Sequence, residues 1–171
     1  MSKVIRLCLD LNIWCASLLA DFKGRNETAC QILVETIRQR ECSLGKVKLI
    51  VSWGMMNRLQ KVLEQDLQVS SFTAKNYLNI ICKYADYVPQ LTLGGSGVIA
   101  MEDIEDSHVL ETCLASQADI LVTANFKDFI NKDTKIIIEQ RYAIYTSANH
   151  RLIIVHPFLM VEWLKSGQIP N

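Results

Sequence analysis

Short apolar runs alternate with longer segments of helical periodicity along this chain of 171 residues. Strands are predicted for the runs at 3–9, 47–52 and 119–123, with further strands at 136–138 and 152–155. Helices are predicted at 11–22, from an N-cap at Asn26 to about Cys42, at 53–66, 71–85 and 107–117, and after His156-Pro157. Strands that alternate with helices indicate a parallel sheet covered on both faces.

No change of composition, internal repeat or low-complexity segment divides the sequence, so we expect a single domain over residues 1–171. Half of the residues are apolar, which excludes a disordered chain. No apolar run reaches the roughly 18 residues that a membrane span needs. Asp10 interrupts the first apolar stretch, so the chain does not begin like a signal peptide.

The six cysteines lie far apart and form no C-x-x-C pair, which argues against a zinc site and favours a reduced, cytoplasmic protein. Acidic and basic residues both number 18, so the chain is not coated with positive charge. Eight of the basic residues fall between positions 23 and 61. They are compatible with a basic rim for RNA phosphates or with an ordinary solvated surface.

Asp10 follows the first apolar run directly. A buried, unpaired carboxylate is costly, so this side chain needs a cation, hydrogen bonds or solvent as a partner. A cap on the helix that follows is the alternative role, because Asp is favoured at N-caps.

Four acids stand within five residues before a later helix, namely Glu102, Asp103, Glu105 and Asp106. One or two acids would serve a helix N-terminus, where the helix dipole stabilises anions. Four acids repel one another, and a divalent cation is the simplest compensation. Asp103 and Asp106 are three residues apart and can face one way on a helical turn.

Thr123 ends the strand predicted at 119–123, Asn125 follows two residues later, and Asp128 stands three residues further on. A simple polar turn is the alternative role for this segment. Because the carboxyl ends of parallel strands meet at one edge of the sheet, we expect these residues near Asp10. Oxygen-only ligands suit Mg²⁺ or Mn²⁺, and such a pocket indicates metal-assisted phosphodiester hydrolysis.

In this order, the segments resemble the PIN-domain family of ribonucleases, which includes the VapC-type toxins of toxin–antitoxin pairs. The resemblance rests on Asp10-x-Asn12, VSWGMMNRLQKVL at 51–63, MEDIEDSHVLETCLASQADILVTANFKDF at 101–129 and HPFLMVEWL at 156–164. It implies a three-layer α/β/α sandwich with a central parallel sheet of four to five strands.

The resemblance also implies roles for individual residues. Asp10 and Asp106 match the acids that ligate the metal, whereas Asn57 and Asn125 stand where the family has Glu and, in many members, Asp. Nearby carboxylates that can compensate are those of Glu64 and Asp128. The remaining expected site residues, which orient the ligands or the substrate, are Asn12, Asp103 and Thr123.

The sequence therefore predicts a Mg²⁺- or Mn²⁺-dependent endoribonuclease, the toxin of a toxin–antitoxin pair, with RNA, an antitoxin protein and a second copy of the chain as partners. A degenerate PIN domain that binds RNA or a protein without cutting is the alternative, together with a phosphohydrolase acting on small phosphoesters. Trp14 and Trp53 follow two strand ends and serve either as stacking platforms for unpaired bases or as core and dimer contacts.

Overall fold

The computed structural model of the protein describes residues 3–87 and 104–170. In this part of the chain the strands form one mixed sheet, in the order β2-β3-β1-β5-β8-β7-β6, with β4 also paired to β3. The strands are β1 (Val4–Leu9), β2 (Glu41–Cys42), β3 (Gly45–Ile50), β4 (Ala85–Tyr87), β5 (Ile120–Val122), β6 (Thr134–Ile138), β7 (Tyr142–Ser147) and β8 (His150–Val155).

The centre of the sheet is parallel, as the sequence predicts. Strands β4, β3, β1, β5 and β8 pair with one another in parallel. The sheet then continues in antiparallel pairing, because β7 runs against β8 and β6 runs against β7. Strand β7 and this antiparallel extension were not predicted from the sequence.

Helices lie on both sides of this sheet, so the fold is the expected layered α/β arrangement of PIN type. The helices are α1 (Leu11–Phe22), α2 (Ala29–Gln39), α3 (Trp53–Lys61), α4 (Ser71–Tyr84), α5 (Ile104–Ala115) and α6 (Pro157–Ser166). None of the helices in the described residues is long and apolar enough to cross a membrane.

Two helix boundaries differ from the predicted ones for local reasons. Helix α2 is capped by Thr28 rather than Asn26, because the Thr28 hydroxyl and the Gln31 side chain form a reciprocal capping box. The same helix ends before Cys42 because Arg40 adopts a left-handed conformation, with φ of 57°. After α3, the chain continues through a wider π-helical turn at Val62–Asp66.

The core lies between the helices and the central strands. Strand β5 is entirely buried, and Leu7, Cys8 and Leu9 of β1 have no exposed surface. All six cysteines are free. Trp14 is also fully buried, so its suggested role as a base-stacking platform is wrong, whereas Trp53 remains half-exposed.

Some expectations concern residues outside the described part of the chain. The first described part of the chain ends at residue 87, where β4 ends, and the description resumes at residue 104. Glu102 and Asp103 of the acidic cluster also lie outside the described residues, as do the side chains of Glu105 and Asp106.

Candidate functional site

Four adjacent parallel strands end at one edge of the sheet, and a polar residue follows each of them within two positions. These residues are Ser52 after β3, Asp10 after β1, Thr123 after β5 and His156 after β8. Asp10, Ser52 and His156 each accept a backbone hydrogen bond as the N-cap of the following helix. Three helix N-termini with their positive dipole ends therefore lie along this edge.

Asp10 is the buried carboxylate of this edge, with only 4% of its surface exposed. One carboxylate oxygen, Oδ1, accepts from the backbone N–H of Leu11 at 2.7 Å. The other, Oδ2, accepts from the Asn12 amide at 2.8 Å and from the Thr123 hydroxyl at 2.7 Å. The N-cap role proposed as an alternative is therefore present, and it uses only one of the two oxygens.

Thr123 and Asn12 connect β5 to the beginning of α1. Besides donating to Asp10, the Thr123 hydroxyl accepts from the Asn125 N–H at 3.0 Å, which forms the expected polar turn. The Asn12 carbonyl oxygen accepts from the Ala124 N–H at 3.2 Å. The orientation of the Asp10 carboxylate is thus fixed from two neighbouring strand ends.

Burial raises the pKa of the Asp10 carboxyl above its ordinary value. The hydrogen bonds from Thr123, Leu11 and Asn12 lower this pKa without offsetting burial, and the negative charge of Asp128 raises it. The groups that act on the carboxyl in the described part of the chain are thus neutral donors and a second acid. A carboxylate in these surroundings fits a hard cation as its missing partner.

The structure places Asn57 and Glu64 on one flank of the site. Both line a cavity of about 540 Å³ that also contacts Leu11, the neighbour of Asp10. Asn57 is exposed, and the Glu64 carboxylate accepts from Gln60 and Ser71, both at 2.9 Å. These hydrogen bonds lower the pKa of Glu64, so this acid is charged at neutral pH.

The other flank holds Asn125 and Asp128. Both side chains are exposed, and both line a second cavity of about 460 Å³. Ala124 also lines this cavity, and its N–H donates a hydrogen bond to Asn12, whose amide in turn donates to Asp10. The cavity therefore adjoins the Asp10 carboxylate. The two suggested compensating acids, Glu64 and Asp128, therefore lie on opposite flanks of Asp10.

Asp106 belongs to the first turn of α5, which begins at Ile104. Helix α5 is fixed against α3 by a buried hydrogen bond of 3.0 Å from the Thr112 hydroxyl to that of Ser52. His108, two residues after Asp106, lines the same cavity as Asn57. The start of α5 is therefore directed to the edge of the sheet where Asp10 lies.

Among the described side chains, which do not include those of residues 86–87 and 104–107, no three His, Cys, Asp or Glu are grouped as metal ligands. The chemistry of Asp10 and its oxygen-bearing neighbours nevertheless fits Mg²⁺ or Mn²⁺. A thiol nucleophile is a poor alternative, because burial, with Asp10 adding to it, raises the pKa of Cys15 to about 11.

Some of the basic residues between positions 23 and 61 lie at the site, and others lie elsewhere on the surface. Arg58 and Lys61 line the cavity that contains Asn57 and Glu64. Arg38 is instead paired with Glu35 on the surface of α2. Of the eight basic residues between positions 23 and 61, the two on α3 therefore line this cavity, and a phosphate-binding rim stays a prediction.

Only Asn125 and Asp128 of the second cavity were predicted as site residues, and the residues missed include Arg141 and His156. His156 precedes a proline at the first position of α6, which is a signature of a helix start, and the chain order places it after a strand. Arg141 carries no such signal, because only the pairing of β6, β7 and β8 brings it to this edge.

A protein-family model described as PIN domain matches residues 6–127. The matched region contains Asp10, Asn57 and Asp106, and it ends directly before Asp128. A comparison with curated proteins finds no match.

Proposed function

The chain belongs to the PIN-domain family, whose members are generally nucleases, and on this premise we propose that it is a Mg²⁺- or Mn²⁺-dependent endoribonuclease. The observation that carries the proposal is the buried Asp10 carboxylate, which has hydrogen-bond donors on both oxygens and Asp128 as a neighbouring charge. The substrate is RNA, and the bond broken is a backbone phosphodiester.

Asp10 would hold the divalent ion, with Asp106 as its second carboxylate ligand. When bound, such an ion lowers the pKa of water and stabilises a leaving oxyanion. The fixed role of the protein is to present a charged, oriented carboxylate. Hydrogen bonds from Thr123, Asn12 and the Leu11 N–H orient this carboxylate and offset part of the rise in its pKa that burial causes.

The flanking residues would complete the site from both sides. Asn57 and Asn125 offer carbonyl oxygens without charge, and Glu64 and Asp128 supply charge close to them. Arg58 and Lys61 line the flank that holds Asn57, where they would contact RNA phosphates.

We further propose that the protein is the toxin of a toxin–antitoxin pair, acting as a homodimer that an antitoxin protein inhibits. The resemblance to VapC-type toxins supports this role. Expression of the parent protein in a bacterial host is then expected to arrest growth, and the Asp10→Asn protein is expected to permit it. Equal growth arrest by the two proteins would contradict a toxic role based on this site.

The primary test is cleavage of RNA in the presence of Mn²⁺ by the parent and the Asp10→Asn protein. The substitution removes the buried charge with almost no change of shape, so cleavage should be lost. Asp133→Asn is the matched control, because Asp133 is exposed and precedes β6 at the opposite edge of the sheet. Equal cleavage by the Asp10→Asn and Asp133→Asn proteins would contradict the proposal.

A PIN domain that binds RNA or a protein without cutting is the second candidate, favoured by the neutral side chains of Asn57 and Asn125. The variant Asn57→Glu/Asn125→Asp restores both family acids. Mn²⁺ binding by calorimetry is expected for the parent and should be tighter in this variant. Binding by the variant alone would favour the second candidate, and binding by neither would contradict a metal site here.

A further inference from the structure

The second cavity is built mostly by residues that follow the region matched by the family model. Its wall includes Asn125 and Lys127 from that region, but Asp128, Glu139, Arg141 and Phe158 come after it. At about 460 Å³, the cavity is within the range of roughly 300–1,000 Å³ that is usual for ligand pockets. The structure therefore adds a cavity to one flank of the Asp10 site.

Antiparallel pairing brings the β6–β7 turn to this edge. Tyr142 pairs with Val155, the last residue of β8, so the turn before Tyr142 lies beside the carboxyl ends of the parallel strands. The backbone N–H of His156 donates to the Arg141 carbonyl at 2.8 Å and ties this turn to the start of α6. The position of Arg141 is thus fixed by the backbone.

Two cations, Lys127 and Arg141, line this cavity together with two acids, Asp128 and Glu139, and an exposed aromatic ring. Lys127 and Arg141 are exposed, and neither forms an ion pair in the described part of the chain. Phe158 is 61% exposed on the first turn of α6, and the centroid of its ring is 5.1 Å from the centroid of the His156 ring. Cations beside exposed aromatic rings are a feature of sites that bind single-stranded nucleic acid.

Charge is unevenly distributed within the cavity. The charge of Asp128 acts on the Asp10 carboxyl, whereas the charge of Arg141 acts on His156, whose pKa burial and Arg141 both lower. Asp128 is therefore on the Asp10 side of the cavity, and Arg141 is on the side of α6. Glu139 is the acid close in sequence to Arg141.

We propose that this cavity binds one unpaired nucleotide of the RNA next to the bond to be cut, with its base stacked on Phe158 and its phosphate at Arg141 and Lys127. This inference rests on the proposed RNA substrate and adds a subsite to it. A nucleotide bound there continues the strand away from Asp10, because Phe158 and Arg141 lie at the start of α6.

The stacking contact is tested by binding of a short single-stranded oligoribonucleotide to the Asp10→Asn protein, followed by fluorescence anisotropy. Phe158→Leu in this background should weaken binding at least about fivefold, because loss of one base–aromatic stack has effects of this size. Phe158→Trp keeps an aromatic face and should bind as the unsubstituted background does. Since no charge changes, the salt dependence of binding should stay the same in both variants.

The phosphate contact is tested by the same titration at several salt concentrations. Arg141→Gln should reduce the slope of log K against log salt by about 0.7, the value for one lost phosphate contact on a single strand. Glu139→Gln removes an opposing charge and should tighten binding. Arg151→Gln is the matched control, since Arg151 is exposed near the amino end of β8 and should change neither affinity nor slope.

Failure of this inference can be told apart from failure of the proposed function. If Phe158→Leu and Arg141→Gln bind RNA like the Arg151→Gln control, the subsite is contradicted, whatever Asp10→Asn does to cleavage. If a protein segment occupies the cavity instead, the Phe158→Leu and Arg141→Gln substitutions will likewise leave the affinity for RNA unchanged. If the Asp10→Asn protein still cuts RNA, the catalytic proposal is contradicted. The effects of Phe158→Leu and Arg141→Gln on RNA affinity still test the subsite in that case.

Discussion

The hydroxyl of Thr123 is the contact through which β5 reaches the Asp10 carboxylate. Thr123 is fully buried, donates to Asp10 Oδ2 at 2.7 Å and accepts from the Asn125 N–H at 3.0 Å. Thr123→Val replaces this hydroxyl by a methyl group of similar size. The substitution therefore removes hydrogen bonds without opening a cavity.

The stability that the Thr123→Val protein is expected to lose can be estimated from the individual hydrogen bonds. A hydrogen bond to a charged group contributes about 1.5–3 kcal/mol to the free energy of unfolding. The Asn125 N–H is on an exposed residue and can turn to water, and the 3.4 Å contact from the Asn12 amide is too long to add much. We expect the Val protein to lose about 1.5–3 kcal/mol, or roughly 3–12 °C of melting temperature.

The assay is urea unfolding in metal-free buffer at neutral and acidic pH. The hydrogen bond from Thr123 lowers the pKa of Asp10, so its removal raises this pKa further. The Val protein should then be most destabilised where Asp10 is charged, and its deficit should shrink as the pH falls through the folded-state pKa. The acidic limb of the pH profile for RNA cleavage should also move to higher pH.

Thr123→Ser is the matched control, because it keeps the hydroxyl and loses only a methyl group, at a cost of about 1 kcal/mol. The loss of stability in the Thr123→Ser protein should not depend on pH. The reasoning is refuted if the Val protein is within about 0.5 kcal/mol of the parent, a change typical of ordinary surface substitutions. A pH-independent deficit in the Val protein would equally refute the link to the charge of Asp10.

Three further substitutions test the same physical picture. Burial raises the pKa of Asp10 in the folded protein above its ordinary value of about 3.8. The protonated carboxyl therefore contributes stability below about pH 3.8, and this contribution is lost as the pH rises through the pKa of the folded protein. In chemical unfolding, the stability of the Asp10→Asn protein relative to the parent should therefore increase with pH. Gly45→Ala should destabilise by at least about 1–3 kcal/mol, because φ is +134° and the new Cβ would meet the Lys3 carbonyl at 2.2 Å. Gly24→Ala is the control, since φ there is +63° with open space, and an equal loss in both proteins would contradict the steric argument. Thr28→Ala removes the capping box of α2 and should lower the melting temperature in calorimetry, by about 1 kcal/mol of stability; an unchanged melting temperature would contradict the assigned cap.

The centre of the fold was predictable because its sequence signals are local. The strand at β1 is a short β-branched run, and the Asp that follows it stands out as a polar residue at the end of a buried strand. Helix α6 is signalled by Pro157 at its first position. The contact of Asp10 with Thr123 was also foreseeable, because parallel strands place their carboxyl ends at one edge.

The extension of the sheet was not predictable from such signals. Strand β7 reads YAIYTS, which mixes aromatic, small and polar residues, and its faces are defined only when it pairs with β8. The turn at 139–141 reaches the site through this pairing, so the second cavity depends on long-range contacts. The wider turn at Val62–Asp66 likewise has no sequence signature, although it lies where Glu64 enters the first cavity.

The energetics of Asp10 favour a catalytic site over a site that only binds. In the described residues, neutral donors and another acid surround this buried carboxylate, and burial makes its charged form unfavourable. An asparagine at this position would keep the size of the side chain and an acceptor for the Leu11 N–H without a buried charge. A protein that binds RNA through Phe158, Arg141 and surface lysines has no use for that charge, whereas a divalent cation requires it. On this argument Mn²⁺ should stabilise the parent protein against urea more than it stabilises the Asp10→Asn protein, and equal stabilisation of the two would favour the binding-only alternative.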